Sequence, residues 1–190
     1  MPGDGAEIAE LLLRLSRVLR AAQHDGGLIP AQWETLRYLS RANRYSRSPS
    51  TVAAFLGTTK GTASQTLLAL ERKGLVRREA DLLDRRSASY TLTDLGLGLL
   101  ANDPVTDMVS KADNLDHALR SQLSGGLRSL LREIQIANGN RAFGVCATCR
   151  HFRPNGASDD RAGPHRCGLT GEALTEADSG RICAEHEAAA

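Results

Sequence analysis

Residues 50–93 constrain the fold most, because they combine two short helical patterns and two strand patterns separated by glycines. Ser50 is expected to cap the first helix, since its hydroxyl accepts an otherwise unpaired backbone N–H. Gly57 should end that helix, because glycine adopts the left-handed C-cap without steric cost. The two threonines after Gly57 are candidate caps of the second helix, which Gly74 ends.

The second helix has two unlike faces. At 100° per residue, Ala63, Leu67 and Leu70 fall on one side at core spacing. The opposite surface is small, polar and cationic, which suits close approach to a DNA major groove. The candidate DNA-binding residues are Thr58, Lys60, Thr62, Ser64, Gln65 and Arg72. An ordinary solvated helix has a similar surface, so this helix alone does not decide the function.

Two strand patterns follow this helix, over residues 75–79 and 89–93. Both alternate in polarity and contain β-branched or aromatic residues, and the polar segment between them suits a hairpin tip. Arg85 and Arg86 lie near that tip and are candidate contacts to a neighbouring minor groove. A helix–turn–helix followed by an arginine-bearing hairpin is a winged helix.

The sequence over residues 6–140 resembles the MarR family of bacterial transcription regulators. The matching residues lie at the end of the second helix, in the hairpin and at the next helix start: Leu70, Glu71, Gly74, Leu75, Val76, Asp84, Arg86, Leu92 and Thr93. The sequence departs from the family at Leu82 and Leu83, which replace polar or proline residues of the wing. The resemblance implies a two-fold dimer that presents two recognition helices and two wings to a pseudo-palindromic double-stranded DNA operator.

Positive charge is concentrated in the predicted winged helix. Residues 37–86 contain eleven Lys/Arg and four Asp/Glu, a net charge of +7, which leaves −5 elsewhere in a chain of net +2. Phosphate binding requires such a concentration. Arg44 and Arg47, in the connector before the helix–turn–helix, are further candidate phosphate contacts. Solvated arginine-rich surfaces are common, so it is the coincidence with the wing that favours DNA binding.

Helical patterns flank the winged helix on both sides. Residues 7–23 form an amphipathic pattern, Pro30 opens a second helix with Trp33 as a core anchor, and Thr93 caps another. Leucines recur at helical spacing over residues 105–137, with Ser124-Gly125-Gly126 as a candidate kink or break. In MarR-like proteins the first and last helices pack against a second subunit, so a homodimer is expected. Packing within one chain is the alternative.

The predicted fold class is mainly α with a small β-hairpin. It comprises a winged helix–turn–helix and a helical dimerisation region in residues 1–140, and a small loop-rich metal or cluster domain in residues 141–190. Asn138-Gly139-Asn140 marks the boundary. No apolar run approaches the length of a membrane span and the N-terminus lacks a secretion signal, so we expect a cytoplasmic protein without membrane contact.

All four cysteines lie in the last quarter of the chain. Cys146 and Cys149 form a Cys-x-x-Cys motif, and Cys167 and Cys183 follow singly. Disulfides are rare in cytosolic proteins, and a Cys-x-x-Cys turn directs two thiolates at one metal or cluster. These four residues are therefore the candidate metal ligands.

The choice of metal rests on the pattern around the cysteines. Eight residues make the tail similar to the cluster-binding part of high-potential iron–sulfur proteins: Cys146, Cys149, Phe152, Cys167, Leu169, Gly171, Gly180 and Cys183. We favour an iron–sulfur cluster, 4Fe–4S before 2Fe–2S. The aromatic residues that enclose such clusters are missing around Cys183, which favours a sensor over an electron carrier.

Structural zinc is the alternative, held by four thiolates or by three with one tail histidine. The three tail histidines are His151, His165 and His186, of which His165 is the best substitute ligand because it lies two residues before Cys167.

These observations predict a dimeric DNA-binding transcription regulator, which we expect to be a repressor. Its operator binding would respond to the cluster through packing of the tail against the dimerisation helices. The alternative is a MarR-like regulator with structural zinc and a small-molecule effector. An electron-transfer or redox enzyme is disfavoured, because the sequence contains no recognised catalytic constellation or cofactor fingerprint.

Overall fold

The computed structural model describes residues 3–23, 27–80, 88–139, 142–156 and 163–189. Within these ranges helices dominate up to residue 137, interrupted by one hairpin, and short strands dominate after it, where Cys146–Thr148 forms a 3-10 helix. In chain order the elements are α1 (Asp4–Ala22), α2 (Pro30–Arg41), α3 (Pro49–Leu56), α4 (Lys60–Arg72), β1 (Val76–Ala80), β2 (Ala88–Leu92), α5 (Asp94–Leu100), α6 (Thr106–Asp113), α7 (His117–Ala137), β3 (Gly144–Val145), β4 (Phe152–Arg153), β5 (His165–Cys167), β6 (Ala173–Leu174), α8 (Glu176–Ser179) and β7 (Ile182–Cys183).

A winged helix forms the centre of the molecule. Helices α3 and α4 are joined through Gly57, whose φ of 63° is the left-handed C-cap predicted for it. Strands β1 and β2 pair antiparallel, with Val76 opposite Leu92 and Ala80 opposite Ala88. The prediction of a mainly helical winged-helix fold with small sheets is therefore confirmed.

The core lies between α2, α3, α4 and the hairpin. Trp33 is 1% exposed, and the predicted core face of α4, Ala63, Leu67 and Leu70, is buried. Ile182 from β7 belongs to the same hydrophobic cluster. The C-terminal segment therefore contributes directly to the core of the winged helix.

Two of the three predicted helix caps are confirmed. Thr59 caps α4 and Thr93 caps α5, each accepting a backbone N–H three residues on at 3.1 Å. The prediction that Ser50 caps α3 is wrong, because Ser48 occupies that position. Pro49 is the first residue of the helix, where its fixed φ suits the helix and its missing N–H costs nothing, so α3 begins earlier than expected.

The predicted helix break at Gly125-Gly126 is also wrong, since α7 runs through both glycines. A Cβ at either position would meet no atom within 4 Å, so each glycine costs the helix about 1 kcal/mol in propensity and no packing. The apolar stripe continues on both sides and outweighs that cost. The actual break precedes α7, where Asp116 accepts the Leu119 N–H at 3.0 Å and starts a new helix.

A close backbone contact holds α5 against the turn between α4 and β1. A Cβ on Gly96 would lie 2.2 Å from the Leu75 carbonyl oxygen, so only glycine fits there without a shift. Thr93 strengthens the junction, because its N–H donates to Leu75 O at 3.1 Å and its hydroxyl donates to Gly74 O at 2.6 Å.

Helices α1 and α7 expose their apolar side chains. Neither helix has a buried residue among those the structure describes. Ile8 is 47% exposed and Leu127 is 40% exposed, and both line a groove of about 490 Å³ between the two helices. None of the described helices is both long and apolar enough to span a membrane.

Candidate nucleic-acid interface and cysteine site

The second helix of the helix–turn–helix, α4, presents the predicted DNA-binding surface. Most of its candidate residues are exposed: Thr58, Lys60, Thr62, Gln65 and Arg72. Ser64 is half-buried and its hydroxyl donates to Lys60 O at 2.8 Å, so only its acceptor lone pairs remain for DNA. Which of these residues contact DNA stays a prediction.

The wing is described along its two strands. Arg77 and Arg78 are exposed on β1, and Arg77 pairs with Glu79 at 2.6 Å. Hydrogen bonds from Arg77 lower the pKa of the Glu79 carboxyl. Arg85 and Arg86, the predicted minor-groove contacts, lie outside the described residues, so that prediction remains untested.

The four cysteines line one cavity of about 80 Å³. Cys146 begins the 3-10 helix and Cys149 follows it, whereas Cys167 ends β5 and Cys183 ends β7. Backbone pairing brings these segments together. Gly144 on β3 lies opposite Cys183, and Phe152 on β4 lies opposite Cys167.

The cavity wall is mostly apolar, and part of it comes from the winged helix. Phe152, Leu169 and Leu174 from the C-terminal segment line it together with Asn43 and Tyr45 from the connector between α2 and α3. Among the described residues, no three His, Cys, Asp or Glu side chains are grouped as ligands of a single metal ion. The four thiols line this one cavity, and the thiols of Cys146 and Cys183 lie within hydrogen-bond distance of each other.

All four cysteines are free thiols, of which Cys146 is buried and the others are half-buried. Cys146 donates a hydrogen bond to the sulfur of Cys183. This bond, reinforced by burial, raises the pKa of the Cys146 thiol, and the same bond lowers the pKa of Cys183.

The histidines of the C-terminal segment have other partners. His165 was the best substitute ligand by sequence, but its Nδ1 accepts the Asn155 N–H at 3.1 Å and its Nε2 pairs with Glu176 at 3.0 Å. Both ring nitrogens of His165 therefore have partners within the protein. His151 pairs with Glu187 at 3.2 Å.

His186 is also engaged, through a hydrogen bond between its Nε2 and the Thr148 hydroxyl at 3.0 Å. Its ring packs beside Gly144, where a Cβ would lie 2.5 Å from ring atoms. The tail histidines therefore have structural partners, and the cysteines remain the candidate ligands.

Comparison with known proteins is consistent with this geometry. Residues 26–87 match the MarR family. CouR from Rhodococcus jostii RHA1, solved with bound p-coumaroyl-CoA, is 21% identical and superposes with a TM-score of 0.57, covering 68% of this chain and 95% of its own. MepR from S. aureus, solved in complex with DNA, is 21% identical with a TM-score of 0.56, covering 70% and 96%.

The apo form of MarR from E. coli is also 21% identical, with a TM-score of 0.54 and coverage of 69% and 98%. The fold is a MarR fold. No curated protein sequence matches the chain. The MarR-like part accounts for about two thirds of this chain and nearly the whole of each of these structures.

The C-terminal segment is joined to the MarR-like winged helix on both sides of Cys183. The Asn43 N–H donates to Ile182 O at 2.8 Å, and the Ala184 N–H donates to the Ser46 hydroxyl at 2.9 Å. Asn43, the donor of the first bond, and Ser46, the acceptor of the second, both belong to the connector between α2 and α3. Cys183 is therefore flanked by two hydrogen bonds to the connector that leads into the helix–turn–helix.

Aromatic packing adds a second junction. The Phe143 ring lies edge-on to Phe55 of α3 at 5.2 Å and to Tyr38 of α2 at 6.2 Å between centroids. Such pairs contribute about 0.5–1.5 kcal/mol beyond their buried area.

The connector arginines have roles inside the protein. Arg44 donates to the Tyr45 hydroxyl at 2.9 Å and to the Ala173 carbonyl, and Arg47 donates to Ala42 O at 3.0 Å. These bonds hold the connector and the tail, and the phosphate contacts at Arg44 and Arg47 stay a prediction. Arg181 from the tail adds a bond to Ser40 O at 3.2 Å.

Sequence reasoning missed Asn43, Ser46, Phe143 and Ile182 as parts of the site. Asn43 and Ser46 are 2% and 1% exposed, although their surroundings in sequence are basic and polar. The only signal was a small polar residue among arginines, which is equally typical of a solvated loop. Their burial depends on a segment that follows more than 100 positions later.

Proposed function

We propose that this chain is a homodimeric transcription regulator that binds double-stranded DNA, and whose operator binding responds to an iron–sulfur cluster held by its four cysteines. The observation that carries the proposal is the joining of a four-cysteine cavity to the connector of a MarR-like helix–turn–helix. A regulator, and not an enzyme, fits this arrangement.

DNA binding is supported by shape and charge. Helix α4 exposes hydroxyl, amide and cationic side chains, and residues 37–86 carry a net +7. Thr62 and Gln65 would face base edges, while Lys60 and Arg72 would neutralise phosphates. The DNA complex of the similar MepR supports the same use of this fold.

Dimer formation is supported by the exposed apolar groove between α1 and α7. Leu123, Leu127 and Ile134 line it together with Ile8 and Leu12. Water-exposed leucines at this density cost free energy in a monomer, and a second copy of the same helices would bury them. A two-fold dimer then presents two copies of α4 to a pseudo-palindromic operator.

The cysteine cavity supports a cluster through its ligand set. All four thiols line it, together with Phe152 and Leu169 of the cluster-like sequence pattern. All-thiolate ligation is typical of iron–sulfur clusters, of which we favour 4Fe–4S.

A bound cluster would supply an oxygen-sensitive redox centre, and the protein's own residues would carry its state to DNA. We expect the route to differ from the one predicted from sequence, which passed through the dimerisation helices. The contacts of Ile182 and Ala184 with the connector provide a shorter route, because a change of ligation at Cys183 moves its neighbours. The connector leads directly into α3 and α4, whose orientation determines DNA affinity.

The test begins with anaerobic purification of the full chain. The absorption spectrum and the iron, sulfide and zinc contents per chain are measured on the same sample. Iron, sulfide and broad visible absorption that bleaches in air are expected. A colourless protein with one zinc per chain would contradict the cluster and favour the structural-zinc alternative with a small-molecule effector.

DNA binding is tested separately, with duplexes selected from a random library by the protein itself. Affinity should fall steeply with salt, as expected when Lys and Arg displace counterions from phosphates. Lys60→Gln should reduce both the affinity and the salt dependence. If no duplex were enriched at low salt, the regulator assignment would be wrong irrespective of the metal.

A further inference from the structure

Asn43 is a buried amide between the winged helix and the cysteine cavity. It follows α2, is 2% exposed, and its backbone N–H binds Ile182 O. Its side-chain Oδ1 accepts the Tyr45 N–H at 3.1 Å, and its Nδ2 donates to Cys146 Sγ at 3.7 Å. The chain therefore fixes both ends of the amide.

The orientation of this amide follows from chemistry. The Tyr45 N–H is only a donor, so the atom facing it must be the amide oxygen. The amide nitrogen then necessarily points at Cys146. A distance of 3.7 Å is within the range of N–H···S hydrogen bonds, because sulfur is larger than oxygen.

An N–H group that donates to a cluster thiolate changes the relative stability of the reduced and oxidised states of the cluster. The reduced state carries one more negative charge than the oxidised state, and a donor at sulfur stabilises that charge. Partners of the ligands also fix their direction and tune the centre they hold. A donor that belongs to the DNA-binding half would therefore tie redox potential to the position of the connector.

We propose that Asn43 is a positioning residue that raises the reduction potential of the cluster through its hydrogen bond to Cys146, and couples that potential to the helix–turn–helix. The inference rests on the proposed cluster. Removing the donor makes the cluster easier to oxidise, by up to about tenfold in the equilibrium constant, which is about 59 mV for one electron.

Two variants remove the donor in different ways. Asn43→Asp keeps an oxygen for the Tyr45 N–H but loses the amide N–H, and Asn43→Leu keeps the volume without polar atoms. Asn114→Asp is the matched control, because it makes the same chemical change at an exposed asparagine that does not line the cavity. The backbone bond from residue 43 to Ile182 remains in all three variants.

The measurement is a redox titration of the anaerobically reconstituted full chain, followed by electron paramagnetic resonance. Both Asn43 variants should have lower potentials and bleach faster in air, while Asn114→Asp keeps the wild-type values. Wild-type potentials in both variants would overturn the role of Asn43 alone. A wild-type protein that takes up no cluster would overturn this inference together with the proposed cluster.

A second measurement does not depend on the variants folding. Wild-type protein labelled with 15N only in asparagine should show 15N hyperfine coupling to the reduced cluster. Among the asparagines that the structure describes, Asn43 is the one that donates to a cysteine sulfur. A loaded cluster without this coupling would contradict the hydrogen bond itself.

Discussion

Replacing Ser46 by alanine should release the segment around Cys183 from the winged helix. Ser46 is 1% exposed, and its hydroxyl accepts the N–H of Ala184, which is 4% exposed. The variant leaves that N–H buried without an acceptor, at a cost of about 1–3 kcal/mol. Local opening of the segment should therefore increase by about 5- to 150-fold. The Ser46 carbonyl, which accepts the Tyr38 hydroxyl at 2.6 Å, is unaffected.

The assay is amide hydrogen exchange at Ala184 in reduced, metal-free protein, compared with the global free energy of unfolding. Ser48→Ala is the matched control. Ser48 is in the same connector, but its hydroxyl accepts the Thr51 N–H at the start of α3, and its loss costs about 1 kcal/mol without touching the tail.

Faster exchange at Ala184 in Ser46→Ala, with protection retained in Ser48→Ala, is the expected result. Cluster-dependent DNA binding should weaken in the same variant. Unchanged protection at Ala184 in Ser46→Ala, or an equal increase in both variants, would refute the argument that this bond holds the tail to the connector.

Three further predictions concern the MarR-like part. Gly96→Ala should lower the free energy of unfolding by about 1–3 kcal/mol, because its Cβ would overlap a backbone carbonyl. Gly98→Ala is the control, since a Cβ there meets no atom within 4 Å and should not destabilise the protein. Equal losses of stability in the two variants, measured by chemical denaturation, would contradict this prediction. Gly61→Ala should stabilise α4 by about 0.5–1 kcal/mol in thermal melts and should weaken operator binding. Unchanged operator affinity would show that Gly61 does not lie in the DNA interface. Burial raises the pKa of Asp103, but the hydrogen bonds from Arg37 and from the Val105 N–H, together with the Arg37 charge, lower it by more, so its net shift is downward. Asp103→Asn should therefore destabilise at pH 7, and the difference should shrink as the pH falls below about 4. A pH-independent difference in chemical denaturation would contradict this prediction.

The winged helix was predictable because its signals are local. Thr59 and Thr93 cap their helices through N–H groups three residues away, and Gly57 and Gly74 take the left-handed φ that glycine allows. The wrong prediction of the α3 cap also has a local cause. Ser48 replaced Ser50 because Pro49 set the helix start, a preference that outweighs the choice between two nearby serines.

The grouping of the four cysteines at one cavity was predictable from the sequence, and the surroundings of that cavity were not. The Cys-x-x-Cys spacing identified Cys146 and Cys149, because such a turn directs both thiols to one side. Nothing in the sequence relates Asn43 to Cys146, since their contact depends on how the tail folds back on the connector. The burial of Ile182 in the winged-helix core is a long-range packing result of the same kind.

The measurement that tests the central claim most directly is operator affinity in one anaerobic preparation, before and after controlled oxidation, with the visible spectrum followed throughout. The chain with all four cysteines changed to serine serves as the cluster-free reference. We predict that affinity changes in step with loss of the visible absorption and that the serine variant, still a folded dimer, does not respond. A loaded protein whose affinity stays constant through complete bleaching would contradict the account.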